Sequence, residues 1–587
     1  MKMYGKNRSF TRVSIHGFNG FRRVLATLIL SVAVSLSAQA QLTPGAPALL
    51  DTNATTDTGG DFNPRVTTDG AGNWVAVWYS NENLGGTAGT DNDIFVSRST
   101  DNGTTWTAPA LLATNGTADI GADTDPQVTS DGAGNWVAVW QSQENLGSTA
   151  GFDKDIFVAT STDNGATWTT TVVLNTNATT DSGDDINPQV TTDSAGNWVA
   201  VWESAENLGG TAGTDWDIFV STSTDNGGTW TAPAILNTNA TTDTGGDRFP
   251  QVTTDGGGNW VAVWHSFENL GGTAGADSDL FVAASTDNGA TWTTTALLNT
   301  NGDSDTGADF VPQVTTDGAG NWVAAWYSDE DLGGAAGTDN DIFVSTSTNN
   351  GAMWTAPALL NTNGASDSGG DNRPQVTTDG AGNWVAVWDS DEDLGGTAGT
   401  DDDIFAAIST DNGTTWTAPA LFNTNGVSDV GSDFVPQVTT DGVGNWVTAW
   451  YSTENLGGAG TDFDIFVSTF VFPSAAAGGG GGGCLVATAA YGTPMENRID
   501  VLREARDTYL LNTAVGSAFV DAYYTFSPPI ADFVAKHPAA ATTVRVLLTP
   551  VIAVSGALWT LPLLAGVFVI AATSYALHRR KRSLLKA

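Results

Sequence analysis

The tetrad Gly-Asn-Trp-Val recurs seven times along the chain, and its tryptophans, Trp74, Trp136, Trp198, Trp260, Trp322, Trp384 and Trp446, stand at a constant interval of 62 residues. A unit repeated in this way is one supersecondary element that cannot cover its own apolar face, so it must stack on copies of itself as a propeller or a solenoid. The first copy reads as four strand-like runs. Pro64–Thr68 leads through the turn Asp69-Gly-Ala-Gly-Asn73 to Trp74–Ser80, a long Gly/Asn-rich loop leads to Asp93–Thr100, and a tight Asp/Asn/Gly turn leads to Trp106–Leu112. Alternating apolar and small or polar residues argue for strands, and the Gly/Asn clusters for turns. Four antiparallel strands repeated radially make a propeller blade.

The two ends of the array complement each other. The last copy stops after its third run, Asp464–Phe470, whereas Pro44-Gly-Ala-Pro-Ala-Leu-Leu50 resembles the fourth run of the first copy. The expected fold is therefore all-β, a seven-bladed β-propeller of 62-residue repeats over 41–473, with the N-terminal strand closing the last blade and removing its exposed edge. Of 22 tryptophans, 20 occupy three repeat positions, those of Trp74, Trp78 and Trp106. They are expected to pack between strands rather than to form a sugar-stacking platform.

Charge divides the chain into three. Net charge is −43 over 587 residues; the stretch 41–483 carries five basic and 58 acidic residues, while both ends are basic. Such a surface does not neutralise phosphates, which excludes a nucleic-acid partner. One cysteine and four histidines exclude a disulfide framework and argue against a zinc centre.

Residues 1–40 read as a signal peptide: six Lys/Arg, the apolar run Val24–Leu36, and Ala38-Gln39-Ala40 as cleavage pattern. No charge occurs from Val546 to Leu577. We read 542–556 as an interfacial apolar segment, 557–577 as a transmembrane helix and 578–587 as a basic cytoplasmic tail, with the remainder exported to the cell envelope, a tight hairpin being the alternative for the apolar stretch. Residues 474–483, ending in six glycines, are a flexible linker. A small helical module over 484–541 opens with Cys484-Leu-Val-Ala-Thr-Ala-Ala-Tyr-Gly492. This resembles the bacterial CFI-box, with Leu485-Val486 in place of Phe-Ile, and the resemblance implies an anchoring or sorting tail. Cys484 is a candidate for modification, a buried or free thiol being the alternative.

The turn after the third run reads Ser99-Thr-Asp101-Asn-Gly103-Thr-Thr-Trp106 and returns around Asp163, Asp225, Asp287 and Asp411, and with Asn349 in the aspartate's place. It resembles the Asp-box, or bacterial neuraminidase repeat, of sialidase-like propellers, in which the box is structural and lies on the face away from the active site. The family's catalytic set does not carry over. It needs three arginines around a carboxylate, and the repeats hold four scattered ones: Arg65 and Arg98 in the first copy, Arg248 and Arg373 in loops ahead of first strands.

Two sets of residues remain as candidates. The most variable frame position holds Tyr79, Gln141, Glu203, His265, Tyr327, Asp389 and Tyr451, and is read as a ligand-binding position, an exposed rim under weak constraint being the alternative. Asp61, Glu82, Asp91 and Asp93, then Asp123, Glu144, Asp153 and Asp155, with equivalents in every later copy, predict an acidic ring on one face. Clustered carboxylates suit calcium, although no cofactor is required by this reading. The function expected is non-catalytic binding or adhesion to a glycan or protein ligand by a monomeric, membrane-anchored propeller, with a sialidase-like glycoside hydrolase or a structural spacer as alternatives.

Overall fold

Seven four-stranded antiparallel sheets follow one another around a ring. The computed structural model describes residues 42–113, 120–427 and 430–472, which fall within one unit, Leu42–Phe472. The signal peptide, linker, CFI-box-like module, Cys484, apolar segment, transmembrane helix and basic tail expected from the sequence lie outside these residues. Among the described residues, the helical elements are two short 3-10 turns, Leu84–Gly86 and Leu456–Gly458, and no helix is long and apolar enough to cross a membrane.

In blade 1 the strands are Asp61–Thr68, Trp74–Ser80, Asp93–Ser99 and Ala110–Leu111, hydrogen-bonded in that order. Two boundaries differ from the sequence reading. The first strand begins three residues before Pro64, because the ladder continues through a bulge between Phe62 and Arg65. The fourth strand is only two residues long. Before it, the Thr107 hydroxyl takes the place of a ladder carbonyl by accepting the Arg98 N–H at 3.1 Å, while Ser97 donates to the Thr107 carbonyl at 2.8 Å. Side chains inserted into a ladder end it locally.

The core lies between blades. Val75, Val77, Ile94, Val96 and Leu112 of blade 1 pack against Trp136, Ala138, Trp140 and Phe157 of blade 2. The tryptophans at the Trp74 and Trp78 positions are at most 1% exposed in all seven blades. Each removes roughly 150–250 Å² from water, about 4–6 kcal/mol before ordering entropy. A backbone hydrogen bond also crosses every seam; Asp185 N–H donates to the Lys154 carbonyl at 2.8 Å, and its equivalents run to Asp61 N–H and the Phe463 carbonyl at 2.7 Å.

Ring closure follows the expected route. Ala48 pairs with Val467 and Leu49 with Phe466, which gives blade 7 its fourth strand. Leu50 is fully buried among Trp74, Trp78, Val447 and Ile465. Leu50→Ala should destabilise the protein by roughly 2–5 kcal/mol, and deletion of 42–50 should lower the melting temperature further. Thermal denaturation followed by tryptophan fluorescence checks this; an unchanged curve for the deletion would mean that the ring closes another way.

Candidate functional site

The propeller has two chemically different faces. One carries the turns after the first and third strands. Here the Asp101 carboxylate accepts from Ser99 Oγ at 2.7 Å, Thr105 N–H at 2.9 Å and Thr105 Oγ1 at 2.7 Å. The bonds from Thr105 hold this carboxyl below the usual range. Trp106 Nε1 donates to the Gly103 carbonyl at 3.0 Å. Gly103 has φ +76°, and a Cβ there would stand 2.6 Å from Val447 in the preceding blade, so the box sets its turn and fits it against a neighbour. Asp163, Asp225, Asp287 and Asp411 accept the equivalent N–H, and Asn349 accepts that of Met353. At the axis this face opens as a cavity of about 480 Å³ lined by Thr68, Asp69, Gly70 and their counterparts.

The other face carries the predicted acidic ring, drawn into the seams. Asp61, Asp93, Asp123 and Asp155 are buried, whereas Asp91 and Asp153 are half-buried at the loop end. The glutamates are engaged with backbone: Glu144 accepts from Leu146 N–H at 3.2 Å and Ile120 N–H at 3.3 Å, and Glu82 from Leu84 N–H at 3.0 Å. Two residue types absent from the sequence-based set join these carboxylates. Asn175 donates to Asp155 and to Asp185, both at 2.7 Å, and so bridges two blades. Asp181, in the loop between those blades, brings a third carboxylate to Asp155 and Asp185. Burial, then the charges of Asp155, Asp153 and Glu206, pushes the Asp181 carboxyl up to about 7. The spacing Asn-x-Asn-x-x-x-Asp that carries both residues is visible in most copies, but it looks like ordinary turn chemistry.

Towards the axis, the third residue of every first strand lies in the left-handed region, from Asn63 at φ +49° to Asp125 and Asn187 at +54°. Phe249, Val311, Arg373 and Val435 occupy the same position; a β-branched residue there is strained. At four seams the residue at the variable position of the preceding blade supports it. Gln141 Oε1 accepts from Asn187 N–H at 2.8 Å, Glu203 from Phe249 N–H at 2.7 Å, His265 Nδ1 from Val311 N–H at 3.3 Å, and Asp389 from Val435 N–H at 3.3 Å. These four are buried, so the alternative of an exposed rim position is corrected: the side chains point into the seam. Tyr79, Tyr327 and Tyr451 are half-buried instead. Tyr79 stacks on Phe62 at 5.3 Å; Phe62 meets Tyr451 at 5.7 Å and Phe463 at 5.1 Å; Tyr451 meets Phe434 at 5.6 Å.

The arginines have separate partners. Arg248 and Arg373 lie inside first strands rather than in the loops before them, because the bulged ladder extends past them. Arg248 pairs with Glu203 at 3.2 Å and covers Trp216 at 4.0 Å. Arg373 grips Asp389 at 2.6 and 3.0 Å, and burial pushes the Asp389 carboxyl up to about 6 despite that guanidinium. Arg65 stands where other blades carry glutamine; it donates to the Pro64 carbonyl, and burial brings it down to about 10. Arg98 sits near the box face.

These repeats match the model of the BNR repeat-like domain over residues 31–300, 134–369 and 200–432. The chain belongs to that family. No curated protein matches the sequence significantly. Among solved structures, the BNR propeller is similar to a Dyadobacter fermentans protein of unknown function (13% identity, 73% of this chain and 99% of that one, TM-score 0.40). It is also similar to a Hadza microbial sialidase (16%, 68% and 76%, TM-score 0.37) and to an α-L-arabinofuranosidase from Fusarium graminearum (13%, 60% and 93%, TM-score 0.36). Likenesses this distant assign no activity.

One seam of the BNR propeller is acid-sensitive by construction. Burial, and then the Arg248 charge, brings His265 down to about 3 from an ordinary 6.5. The unfolded chain gains this proton as pH falls through 6.5, the folded chain only near 3, so the histidine's contribution to stability is present above 6.5 and lost between these values. His265→Gln, which borrows the blade 2 arrangement, should leave stability at pH 7 nearly unchanged. Its melting temperature relative to the parent should rise steadily as pH falls from 7 to 4; a constant difference would contradict a buried neutral imidazole.

Proposed function

We propose that this chain is an exported, membrane-anchored BNR propeller that binds a glycan or a protein surface on its acidic face without hydrolysing it. The observation that carries this reading is the group of partly open rings formed by Phe62, Tyr79, Phe434, Tyr451 and Phe463, which spans blades 7 and 1. Partly exposed rings beside polar groups offer apolar area and orienting contacts together. Arg373 lies 5.2 Å over Phe434, at the edge of this group.

Hydrolysis of a sialoside is disfavoured by the same geometry. Arg248 and Arg373 are already paired with Glu203 and Asp389, so binding a substrate carboxylate would cost those pairs. An anionic sugar would also approach through a strongly acidic field, which slows encounter. Neutral sugars and basic protein surfaces suit it better. Export and anchoring rest on the sequence patterns of 1–40, 557–577 and 578–587, with the CFI-box-like stretch 484–541 as sorting tail, Cys484 as its candidate for modification, and the propeller acting as a monomer.

Purified protein should turn over no fluorogenic sialoside but should retain a defined subset of ligands on a glycan array, and Tyr451→Ala should weaken that binding about tenfold. Turnover abolished by Arg373→Ala would establish the hydrolase reading instead, and neither binding nor turnover would leave a spacer. Removal of 546–587 should release the protein from membranes into the soluble exported fraction; retention would contradict a single C-terminal anchor.

A further inference from the structure

The carboxylates at the seams outnumber the groups that could balance them. At the seam between blades 3 and 4, one oxygen each of Asp217, Asp243 and Asp247 lies within 4.8 Å of the other two. All three residues are at least nine-tenths buried. Asp217 Oδ2, Asp243 Oδ1 and Asp247 Oδ2 have no hydrogen-bond partner, and neither do the nearby Asp215 Oδ2 and Asn239 Oδ1. Asn237 and Asn239 satisfy only the opposite edges of this set, at 2.7 and 2.6 Å. The two ion pairs among the described residues lie elsewhere. Isolated buried carboxylates are too costly to leave unpaired.

The same trio recurs around Asp181, Asp305 and Asp367, and the closing seam has a variant of it, Asp51, Asp57 and Asp464. At the two remaining seams the corresponding residues, Asp119 and Asp429, lie outside the described residues. The closing seam differs in one buried carboxylate. Where five of the other seams have an asparagine, such as the bridging Asn175, it has Asp51, which is fully buried. Asp51 Oδ1 accepts from Ile465 N–H at 3.1 Å, and Oδ2 has no partner. An ionised aspartate there donates nothing to Asp464, whose two oxygens are also without a partner.

We propose that these seams are calcium sites, and that the ion held by Asp51, Asp57 and Asp464 makes closure of the ring depend on calcium. Two oxygens each about 2.4 Å from one Ca²⁺ lie no more than about 4.8 Å apart, which the trios satisfy. Calcium accepts carboxylate and amide oxygens in irregular sets of six to eight, whereas Mg²⁺ demands a near-octahedral shell and keeps its waters. Zinc favours nitrogen and sulfur ligands, and the trios are all aspartate. At the closing seam the ion joins Asp464 at the far end of the array to Asp51 and Asp57 of the N-terminal segment, so its binding energy resists their separation.

The test is made on the full-length protein, stripped with chelator and titrated with Ca²⁺ or Mg²⁺. Calcium should raise the melting temperature by several degrees, with magnesium at equal concentration giving much less, and metal analysis after gel filtration should find at least five ions per chain. Asp51→Asn restores the residue used at other seams, so folding is preserved. It should melt above the parent in chelator and gain less from calcium. Asp243→Asn should lower the bound count by one and show the same crossover. Absence of bound calcium at millimolar concentration, equal stabilisation by magnesium, an unchanged count in Asp243→Asn, or a lower melting temperature of Asp51→Asn in chelator would each overturn the proposal.

Discussion

A single blade of this chain has two apolar sheet faces and can bury neither alone. The contact that resolves this is the insertion of the paired tryptophans of one blade, such as Trp136 and Trp140, against the Val75, Val77 and Ile94 face of the blade before it. Everything else in the array is arranged around that seam. The box glycines approach the neighbouring valine, the backbone bond from the first strand crosses to the neighbouring blade, and at four seams the bulge residue is capped by a side chain from the preceding blade. The protein is held by seven copies of one interface, as in repeat proteins whose stability is a sum over neighbours.

Against this regularity, the differences between blades are concentrated at one end of the strands. The second residue of the first strand is Phe62, Thr124, Ile186, Arg248, Phe310, Asn372 or Phe434, and the last but one of the second strand varies as widely. These positions sit beyond the tryptophan layer, where side-chain identity no longer decides whether the blades pack. Four members of the variable position became caps for the next blade's bulge, and three tyrosines remained partly open. Functional asymmetry has therefore had one narrow layer in which to develop.

The blade count, the closing strand and the boxes were legible in the sequence because each depends on local chemistry: a fixed period, a missing fourth strand, and Asp, Asn and Gly in turns. The bulge was not legible. Asn, Asp, Phe, Val and Arg all occupy it, so its left-handed backbone is imposed by the seam and not by a permissive residue such as glycine. For the same reason Arg248 and Arg373 looked like loop residues. The carboxylate trios were half legible. Their Asp-x-Asp members were evident, but Asp181 and its equivalents resembled solvated loop residues until folding placed them beside Asp155 and Asp185.

The closing strand has a consequence for the order in which the molecule can assemble. Six blades are built from contiguous chain, and each can stack on its neighbour as soon as the residues of both are available. The seventh joins Asp51 to Ile465 across 414 residues, so it is the one sheet whose formation is a long loop closure. Until the last blade arrives, the strand Ala48–Leu49 has no partner, and until that strand docks the outer edge of Asp464–Val471 is open to any extended segment, including the same strand from another copy. Exchange of this short N-terminal strand between molecules is thus the misassembly to which the topology is most exposed.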